Sequence, residues 1–189
     1  MEYINVVGGG LAGCEAAYQI AKRGIKVKLY EMKPKKFSPA HSNEDLAEIV
    51  CSNSLKSNSI TNACGLLKEE LRKLDSLLIR CADATKVPAG QALAVDREKF
   101  SKAVTEKIES NPNIELIREE ITEIPKEGKV IIATGPLTDS ELFENLQKKL
   151  GNDDCYFFDA IAPIVNKNSL DENCYFVANR YDKGETDGD

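Results

Sequence analysis

Three glycines near the amino terminus, Gly8, Gly10 and Gly13, have the G-x-G-x-x-G spacing of a dinucleotide-binding motif. In this motif the first glycine permits a tight turn, the second lets a pyrophosphate approach the backbone, and the third lets a helix pack closely on a sheet. The helix that begins here directs its N-terminal N–H groups at the phosphates, which favours an anionic ligand. The spacing therefore predicts that a dinucleotide binds across residues 8–13.

A carboxylate follows at the distance that such a site requires. Glu31 lies 18 residues after Gly13, at the end of an apolar segment, where an acid accepts hydrogen bonds from an adenosine ribose. A glycine-rich turn in an ordinary βαβ unit is the alternative interpretation, but the acid and the flanking elements favour dinucleotide binding. The motif by itself does not distinguish FAD from NAD.

The elements that position these residues can be predicted from the sequence around them. Residues 4–7 form an apolar run typical of a strand, residues 11–23 fit a helix that Gly24 ends, and residues 26–30 alternate as a second strand. The loop at 32–42 then leaves the sheet at the end where such sheets bind ligands. This order predicts a βαβ unit with its ligand at the carboxyl ends of the strands.

A second candidate for chemistry is the thiol of Cys51, which lies among small polar residues. Ser52, Asn53 and Ser54 follow it directly, and Lys56 is close by in the sequence. A thiol is a useful nucleophile when it is partly exposed and near positive charge. The residues alone fit a nucleophile and an inert buried cysteine equally well, so both interpretations stay open.

The other five cysteines do not indicate a metal site. They are widely scattered, without C-x-x-C spacing or nearby histidines, so no zinc site is predicted and reduced thiols are expected. Two of them, at positions 64 and 81, are expected to be buried, inert cysteines. The five are Cys14, Cys64, Cys81, Cys155 and Cys174.

The loop after Glu31 carries two further features. His41, the one histidine of the sequence, is either solvated or in contact with a ligand. Lys33, Lys35 and Lys36 form either a local basic patch or a solvated lysine loop. The sequence does not decide between these alternatives.

Composition limits the class of protein. The 189 residues carry a formal net charge of −6, with 42% hydrophobic and 30% charged residues, as in a soluble globular protein of one domain or one and a fraction. The negative charge argues against general nucleic-acid affinity. No apolar stretch approaches the roughly 18 residues of a membrane span, and no targeting signal is evident, so we expect a cytoplasmic protein without a membrane partner.

Residue patterns in the middle of the chain predict helices and one strand. Apolar residues at 67, 71, 74, 78 and 81 recur at helical spacing and predict one long helix, with Lys68 on its solvated face. Residues 92–95 fit a short strand, and Asp96 fits the N-cap of the next helix. The residues of that helix expected to face the core are Phe100, Val104 and Ile108.

The last third of the chain begins with predicted strands at 114–117, 121–124 and 130–134. Thr134 and Gly135 end the third strand, where the backbone can approach a ligand. Residues 138–141 have the spacing of a capping box before a helix, and residues 156–165 and 175–178 add apolar segments. The helix residues expected to face inward are Leu142, Phe143, Leu146 and Leu150.

Together, the glycine motif, the acid at the end of the second strand and the later strand that closes in Thr134 and Gly135 resemble the FAD-binding domain of the glutathione-reductase type. Longer segments narrow the resemblance. The chain is similar over nearly its whole length to the bacterial folate- and FAD-dependent tRNA (uracil-5-)-methyltransferases, a family of small GidA-like flavoproteins. The segments that carry this resemblance are EMKP (31–34), SPAH (38–41), VCSNS (50–54), GLLKEEL (65–71), VPAG (87–90), ALAVDR (92–97) and FDAIAP (158–163).

The resemblance implies a fold and a ligand site. The fold would be α/β, a Rossmann-like parallel sheet flanked by helices with a small additional β element, incomplete at the carboxyl terminus. Residues 1–185 would be the first segment of the FAD-binding domain, and residues 186–189 the start of a connection to a second domain. Cys51 matches a family cysteine implicated in catalysis. The residues that would bind FAD are Gly8, Gly9, Gly10, Leu11, Ala12, Gly13, Glu31, Thr134 and Gly135.

The resemblance also implies an activity. Such enzymes methylate carbon 5 of a uridine in the tRNA T-loop, with 5,10-methylenetetrahydrofolate as one-carbon donor and NAD(P)H as the reductant of FAD. A thiol suits this reaction because carbon 5 of uracil becomes nucleophilic after a nucleophile adds to carbon 6. The implied partners are the tRNA, bound mainly through parts absent from these 189 residues, and the folate and nicotinamide cosubstrates.

The sequence departs from the family pattern in two respects. Gln91 stands where the pattern has a glycine, and the chain is less than half the usual family length. We therefore expect an amino-terminal fragment that is inactive alone. Two other functions stay open, another FAD- and NAD(P)H-dependent oxidoreductase without an RNA substrate, and a non-catalytic nucleotide-binding fragment.

Overall fold

The computed structural model describes residues 3–138, 140–151, 171, 173 and 174. The strands in these ranges are β1 (Tyr3–Val7), β2 (Lys26–Tyr30), β3 (Ser54–Ser57), β4 (Lys86–Val87), β5 (Ala92–Val95), β6 (Ile114–Ile117) and β7 (Lys129–Ile132). The helices are α1 (Leu11–Lys22), α2 (Ala63–Lys73), α3 (Leu77–Ala84), α4 (Arg97–Glu109) and α5 (Ser140–Leu150). Of the helices that the structure describes, none combines the length and hydropathy that crossing a bilayer requires.

Four parallel strands form the main sheet in the order β6-β2-β1-β7. Tyr3 pairs with Lys26, and Ile4 pairs with Lys129, so β1 lies between the second strand and the last. The order of connections reverses between β1 and β7, and ligands of such sheets bind at the carboxyl ends of the strands near this reversal. The predicted parallel sheet is confirmed, with β1, α1 and β2 within one residue of their predicted bounds.

The core is built where α1, α3 and α4 contact one another and α1 and α4 contact the sheet. Phe100, Val104 and Ile108 on α4 are completely buried, as their spacing predicts. Asp96 caps this helix by accepting a hydrogen bond from the Lys99 N–H at 3.1 Å, which confirms the predicted N-cap. This part of the fold follows from local sequence signals and helical periodicity.

A small antiparallel sheet in the order β3-β5-β4 is the additional β element that the family resemblance implies. Ser54 and Val87 both pair with Ala94 on the central strand, β5. The Val95 N–H also donates to the Asn53 carbonyl at 2.9 Å, just before β3 begins. This sheet therefore fixes the segment that follows Cys51.

The single long helix predicted over residues 67–81 is wrong. The chain forms α2 and α3 instead, separated at Asp75, whose φ of 58° lies in the left-handed region. Ser76 then caps α3 by accepting a hydrogen bond from the Ile79 N–H. The left-handed residue ends one helix and the cap starts another, although the apolar spacing continues through both.

The exposed and buried sides of α2 also differ from the prediction. Leu67 and Leu74 are 55% and 67% exposed, whereas Lys68 is buried. The Lys68 ammonium group donates to the carbonyl oxygens of Ser57 and Cys64 at 3.0 and 3.1 Å. These hydrogen bonds tie α2 to the end of β3, and they satisfy a lysine that was predicted to face solvent.

Residues 121–124 do not form the predicted strand. The Thr122 carbonyl accepts a hydrogen bond from the side-chain amide of Asn145 on α5 at 2.8 Å, so the segment is bound to a helix rather than to a strand ladder. On α5, Leu142 is buried as predicted, but Leu150 at the end of the helix is 67% exposed.

Several predictions lie outside the described residues. They concern the capping-box residue Asp139, Cys155, the apolar segments at 156–165 and 175–178, the FDAIAP segment at 158–163 and the domain boundary at 185.

Candidate functional site

A cavity of about 340 Å³ opens at the carboxyl ends of β1, β2 and β7. Its wall includes eight of the nine residues expected to bind a dinucleotide, namely Gly8, Gly9, Gly10, Leu11, Ala12, Glu31, Thr134 and Gly135. Gly13, the ninth, lies behind the wall in the first turns of α1. The structure thus brings the two distant parts of the prediction, residues 8–31 and residues 134–135, to one place.

Two of the motif glycines allow close backbone packing. Gly8 has a φ of 104°, and a Cβ atom there would lie 2.6 Å from the Ala133 carbonyl oxygen. A Cβ atom on Gly13 would overlap the carbonyl oxygen of Gly8. These contacts bring α1 against β1 and β1 against the end of β7, as the motif predicts.

Gly10 has a different role, because a Cβ atom at this position would meet none of the described residues within 4 Å, apart from its neighbours in the chain. Gly10 is the N-cap of α1, no side chain caps the helix, and its first turn contains no acidic residue. The N–H groups at the start of the helix are therefore free of side-chain partners. Open space and unsatisfied donors at a helix N-terminus suit a phosphate group.

Glu31 is 7% exposed and holds the loop around the cavity. Its carboxylate accepts hydrogen bonds from the N–H groups of Gly9 and Lys33, at 2.8 and 2.9 Å. Sequence reasoning missed this structural role, which no spacing rule encodes. Each carboxylate oxygen keeps a second lone pair, so binding of a ribose at Glu31 stays a prediction.

The interpretation of the lysines after Glu31 as a basic patch is not supported. Lys33 is buried, and its ammonium group donates to the carbonyl oxygens of Asn43 and Asp45 and forms an ion pair with Glu48 at 3.2 Å. Lys36 forms an ion pair with Glu120 at 2.5 Å. Two of the three lysine charges are therefore offset, and Lys33 serves to anchor the loop at 43–48.

Glu48 is the carboxylate partner in this anchor. Its burial raises the pKa of the carboxyl group, but hydrogen bonds from the Ser42 and Asn43 N–H groups and from Lys33 outweigh burial and lower the pKa overall. Glu48 is therefore ionised at neutral pH, and its charge is matched by Lys33.

His41 lies at the wall of the cavity and is not fully solvated. Its Nδ1 atom is 2.5 Å from the Ser38 hydroxyl oxygen, which orients the ring. Partial burial, with the nearby charge of Lys33, lowers the pKa of the imidazole below its ordinary value. A neutral histidine therefore faces the ligand side of the loop.

Cys51 is exposed, so the interpretation of this residue as a buried cysteine is wrong. The thiol is not on the cavity wall, although its neighbour Val50 is. It lies in a second groove of about 440 Å³, whose other lining residues are Ser52, Asn53, Val87, Val95, Asp96 and Arg97. Cys51 therefore directly follows a residue of the cavity wall.

The remaining described cysteines do not line either site. Cys81 is buried as predicted, and Cys64 is half-buried. Cys14 is completely buried, which raises the pKa of its thiol to about 12. Its Sγ atom lies 3.2 Å from the Gly9 carbonyl oxygen and contributes to the packing of the glycine loop. Cys174 is exposed like Cys51, but of the described thiols that of Cys51 is both exposed and part of a groove next to the cavity.

The family model described as Glucose inhibited division protein A matches residues 3–188, which is nearly the whole chain. The chain belongs to this GidA family. The described fold agrees with a solved structure of GidA from Aquifex aeolicus, with a TM-score of 0.57, 19% sequence identity, and coverage of 71% of this chain and 25% of that one. At this identity the comparison shows a shared fold.

Two members with curated names are more similar in sequence. A protein of Acetivibrio thermocellus is 63% identical over 187 residues, covering 99% of this GidA-family chain and 43% of the relative. A protein of Streptococcus sanguinis is 59% identical over 183 residues, covering 97% of this chain and 41% of the relative. Both are named methylenetetrahydrofolate–tRNA-(uracil-5-)-methyltransferase TrmFO. The chain spans less than half the length of these relatives.

Proposed function

We propose that this chain is the FAD-binding part of an enzyme that methylates carbon 5 of a uridine in the tRNA T-loop, with methylenetetrahydrofolate as carbon donor and NAD(P)H as reductant. The observation that carries the proposal is the match of 99% of the chain, at 63% identity, to a protein named for this reaction. The activity is proposed for a polypeptide of the relatives' length, because the match covers 43% of that length.

The uncapped helix start and the open space at Gly10 support the binding of FAD in the cavity. In this proposal the uncapped start of α1 binds the pyrophosphate beside Gly10, which has no side chain and which the described part of the chain leaves open. Glu31 accepts hydrogen bonds from the adenosine ribose through its remaining lone pairs. Thr134 and Gly135 border the same cavity from the end of β7. When bound, FAD supplies the route by which the one-carbon unit and the electrons reach the substrate.

Cys51 is the proposed nucleophile. Its thiolate adds to carbon 6 of uracil, forming an S–C bond and moving the electron pair of the C5–C6 double bond onto carbon 5 and the carbonyl at carbon 4. Carbon 5 then bonds to the one-carbon unit, which is still held by its carrier. Loss of the proton from carbon 5 breaks the bond between the one-carbon unit and the carrier nitrogen, which keeps the electron pair, and leaves a methylene group at carbon 5. A hydride that originates from NAD(P)H reduces this methylene to the methyl group, and the C5–C6 double bond is restored as the thiolate leaves. The exposure of Cys51 and its place next to Val50 on the cavity wall support this role.

The proposal is tested with a polypeptide of the relatives' full length and tRNA transcripts labelled with tritium at carbon 5 of uridine. We expect tritium release that requires both methylenetetrahydrofolate and NAD(P)H, in a protein that is yellow as purified. Oxidation of NAD(P)H without tritium release would favour another flavin oxidoreductase. Absence of flavin and of turnover would favour a non-catalytic module.

A further inference from the structure

The groove that contains Cys51 is distinct from the cavity proposed for FAD. Val50 lines the cavity and Cys51 lines the groove, so consecutive residues of one segment face the two sites. Ser52 and Asn53 also line the groove, and its other side comes from β4, β5 and the start of α4. A molecule bound in this groove can therefore contact both the segment of Cys51 and the start of α4.

The groove contains one acidic residue, Asp96, and one basic residue, Arg97, and only the acidic one has an oppositely charged partner among the described residues. The Asp96 carboxylate is already engaged, because it accepts a hydrogen bond from the Lys99 N–H at 3.1 Å and forms an ion pair with the Lys99 ammonium group at 3.0 Å. Arg97 is exposed, and its guanidinium donates to the Ile49 carbonyl at 3.5 Å. Within the ranges that the structure describes, no carboxylate forms an ion pair with Arg97. A guanidinium has five N–H donors, so most of them can bind a ligand.

The contact with Ile49 places this guanidinium relative to the thiol. Ile49 lies two residues before Cys51, and Arg97 follows the end of β5 by two residues. The long-range hydrogen bond therefore joins the segment of the thiol to the first residue of α4. A ligand group bound by Arg97 is held at the rim of the same groove.

We propose that Arg97 binds a backbone phosphate of the RNA beside the target uridine and positions the uracil ring at Cys51. The inference rests on the function proposed above and adds a positioning residue to it. A guanidinium binds phosphate oxygens through two parallel N–H donors, which fixes orientation as well as distance. The phosphates flanking a nucleotide lie outside its base, so a base in the groove leaves a phosphate near the rim.

The experiment compares Arg97→Gln and Arg97→Lys in the full-length polypeptide, with Arg23→Gln as the control. Arg23 is also exposed, but it caps the far end of α1 and donates to Gln19. Three quantities are measured for each protein: the Kd for tRNA transcripts over a salt series, the kcat at saturating tRNA, and the flavin content.

We expect Arg97→Gln to weaken tRNA binding about tenfold and to reduce the slope of log Kd against log salt by about one. Arg97→Lys keeps the charge and should restore the slope, but only part of the affinity because the paired donors are lost. The kcat at saturating tRNA should also fall in Arg97→Gln, by about tenfold, because a uracil ring that is no longer oriented at Cys51 reaches the thiol in the reactive geometry less often. Flavin content and melting temperature should not change in either variant.

An unchanged Kd and salt slope in Arg97→Gln, in a wild-type protein that methylates tRNA, would overturn the role of Arg97 alone. An equal loss in Arg23→Gln would also overturn it, because the effect would then be one of net charge. A wild-type protein that binds flavin but neither binds nor methylates tRNA would overturn the proposed function, and the role of Arg97 with it.

Discussion

The Glu31 carboxylate accepts a hydrogen bond from the Gly9 N–H at 2.8 Å, joining the end of β2 to the glycine loop that follows β1. The same carboxylate accepts a second bond from the Lys33 N–H, so one buried side chain fixes the loops on two sides of the cavity. Glu31 therefore shapes the glycine loop, and in our proposal it also binds the adenosine ribose.

Replacing Glu31 by Ala should lower both stability and cofactor retention. Two backbone N–H groups lose their acceptor, which should cost about 1–3 kcal/mol of the free energy of unfolding. Flavin content should fall as well, because the loop and the ribose acceptor are lost together. Urea unfolding and flavin absorbance measure the two effects. Glu115→Ala, which removes an exposed carboxylate from β6, is the control, and an equal effect there would contradict the assignment.

Substitutions at two of the motif glycines should affect ligand binding and stability differently. Gly10→Val places a side chain where the described residues leave open space, so the melting temperature should change little while flavin retention falls sharply. Gly13→Ala should instead lower the melting temperature, because its Cβ atom would overlap the Gly8 carbonyl oxygen. Thermal unfolding and flavin absorbance on both variants check this. Undiminished flavin in Gly10→Val would exclude a pyrophosphate at that position.

The ion pair between Lys33 and Glu48 should make stability depend on pH. The pKa of Glu48 in the folded protein lies below its ordinary value of 4.5, so the pair stabilises the fold above that value and the contribution is lost as the pH falls through and below it. Glu48→Gln should cost about 2 kcal/mol at pH 7, because Lys33 stays buried without its counter-charge.

The dependence on pH distinguishes this pair from a general effect of acid. The difference in unfolding free energy between wild type and Glu48→Gln should shrink from pH 7 to pH 3. Glu44→Gln, at an exposed position in the same loop, should show no such trend. A difference that stays constant with pH would contradict the ionic role of Glu48.

The sequence predicted the parts of the fold that local signals determine. The glycine spacing, the acid at Glu31 and the cap at Asp96 each act within a few residues or one βαβ unit, and the structure places them as expected. Prediction failed at α2 because the burial of Lys68 depends on carbonyl groups of Ser57 and Cys64 that only the folded chain brings to it.

Parts of the candidate site also could not be predicted from the sequence. The pairing of Lys33 with Glu48 joins two ends of one loop, and the contact of Arg97 with Ile49 joins residues 48 positions apart. No periodicity or spacing rule indicates either contact. The exposure of Cys51 was one of two alternatives that its polar neighbours left open, and the separate groove that contains the thiol was not predicted.

The most direct test of the account is the Cys51→Ala variant of the full-length polypeptide, compared with Cys64→Ala, which removes a half-buried thiol from α2. Methylation of tRNA, flavin content and melting temperature are measured on the same preparations. We predict that Cys51→Ala loses methylation by orders of magnitude, because the covalent step is lost, while flavin content and melting temperature match those of Cys64→Ala. Near-normal methylation by Cys51→Ala would contradict the account.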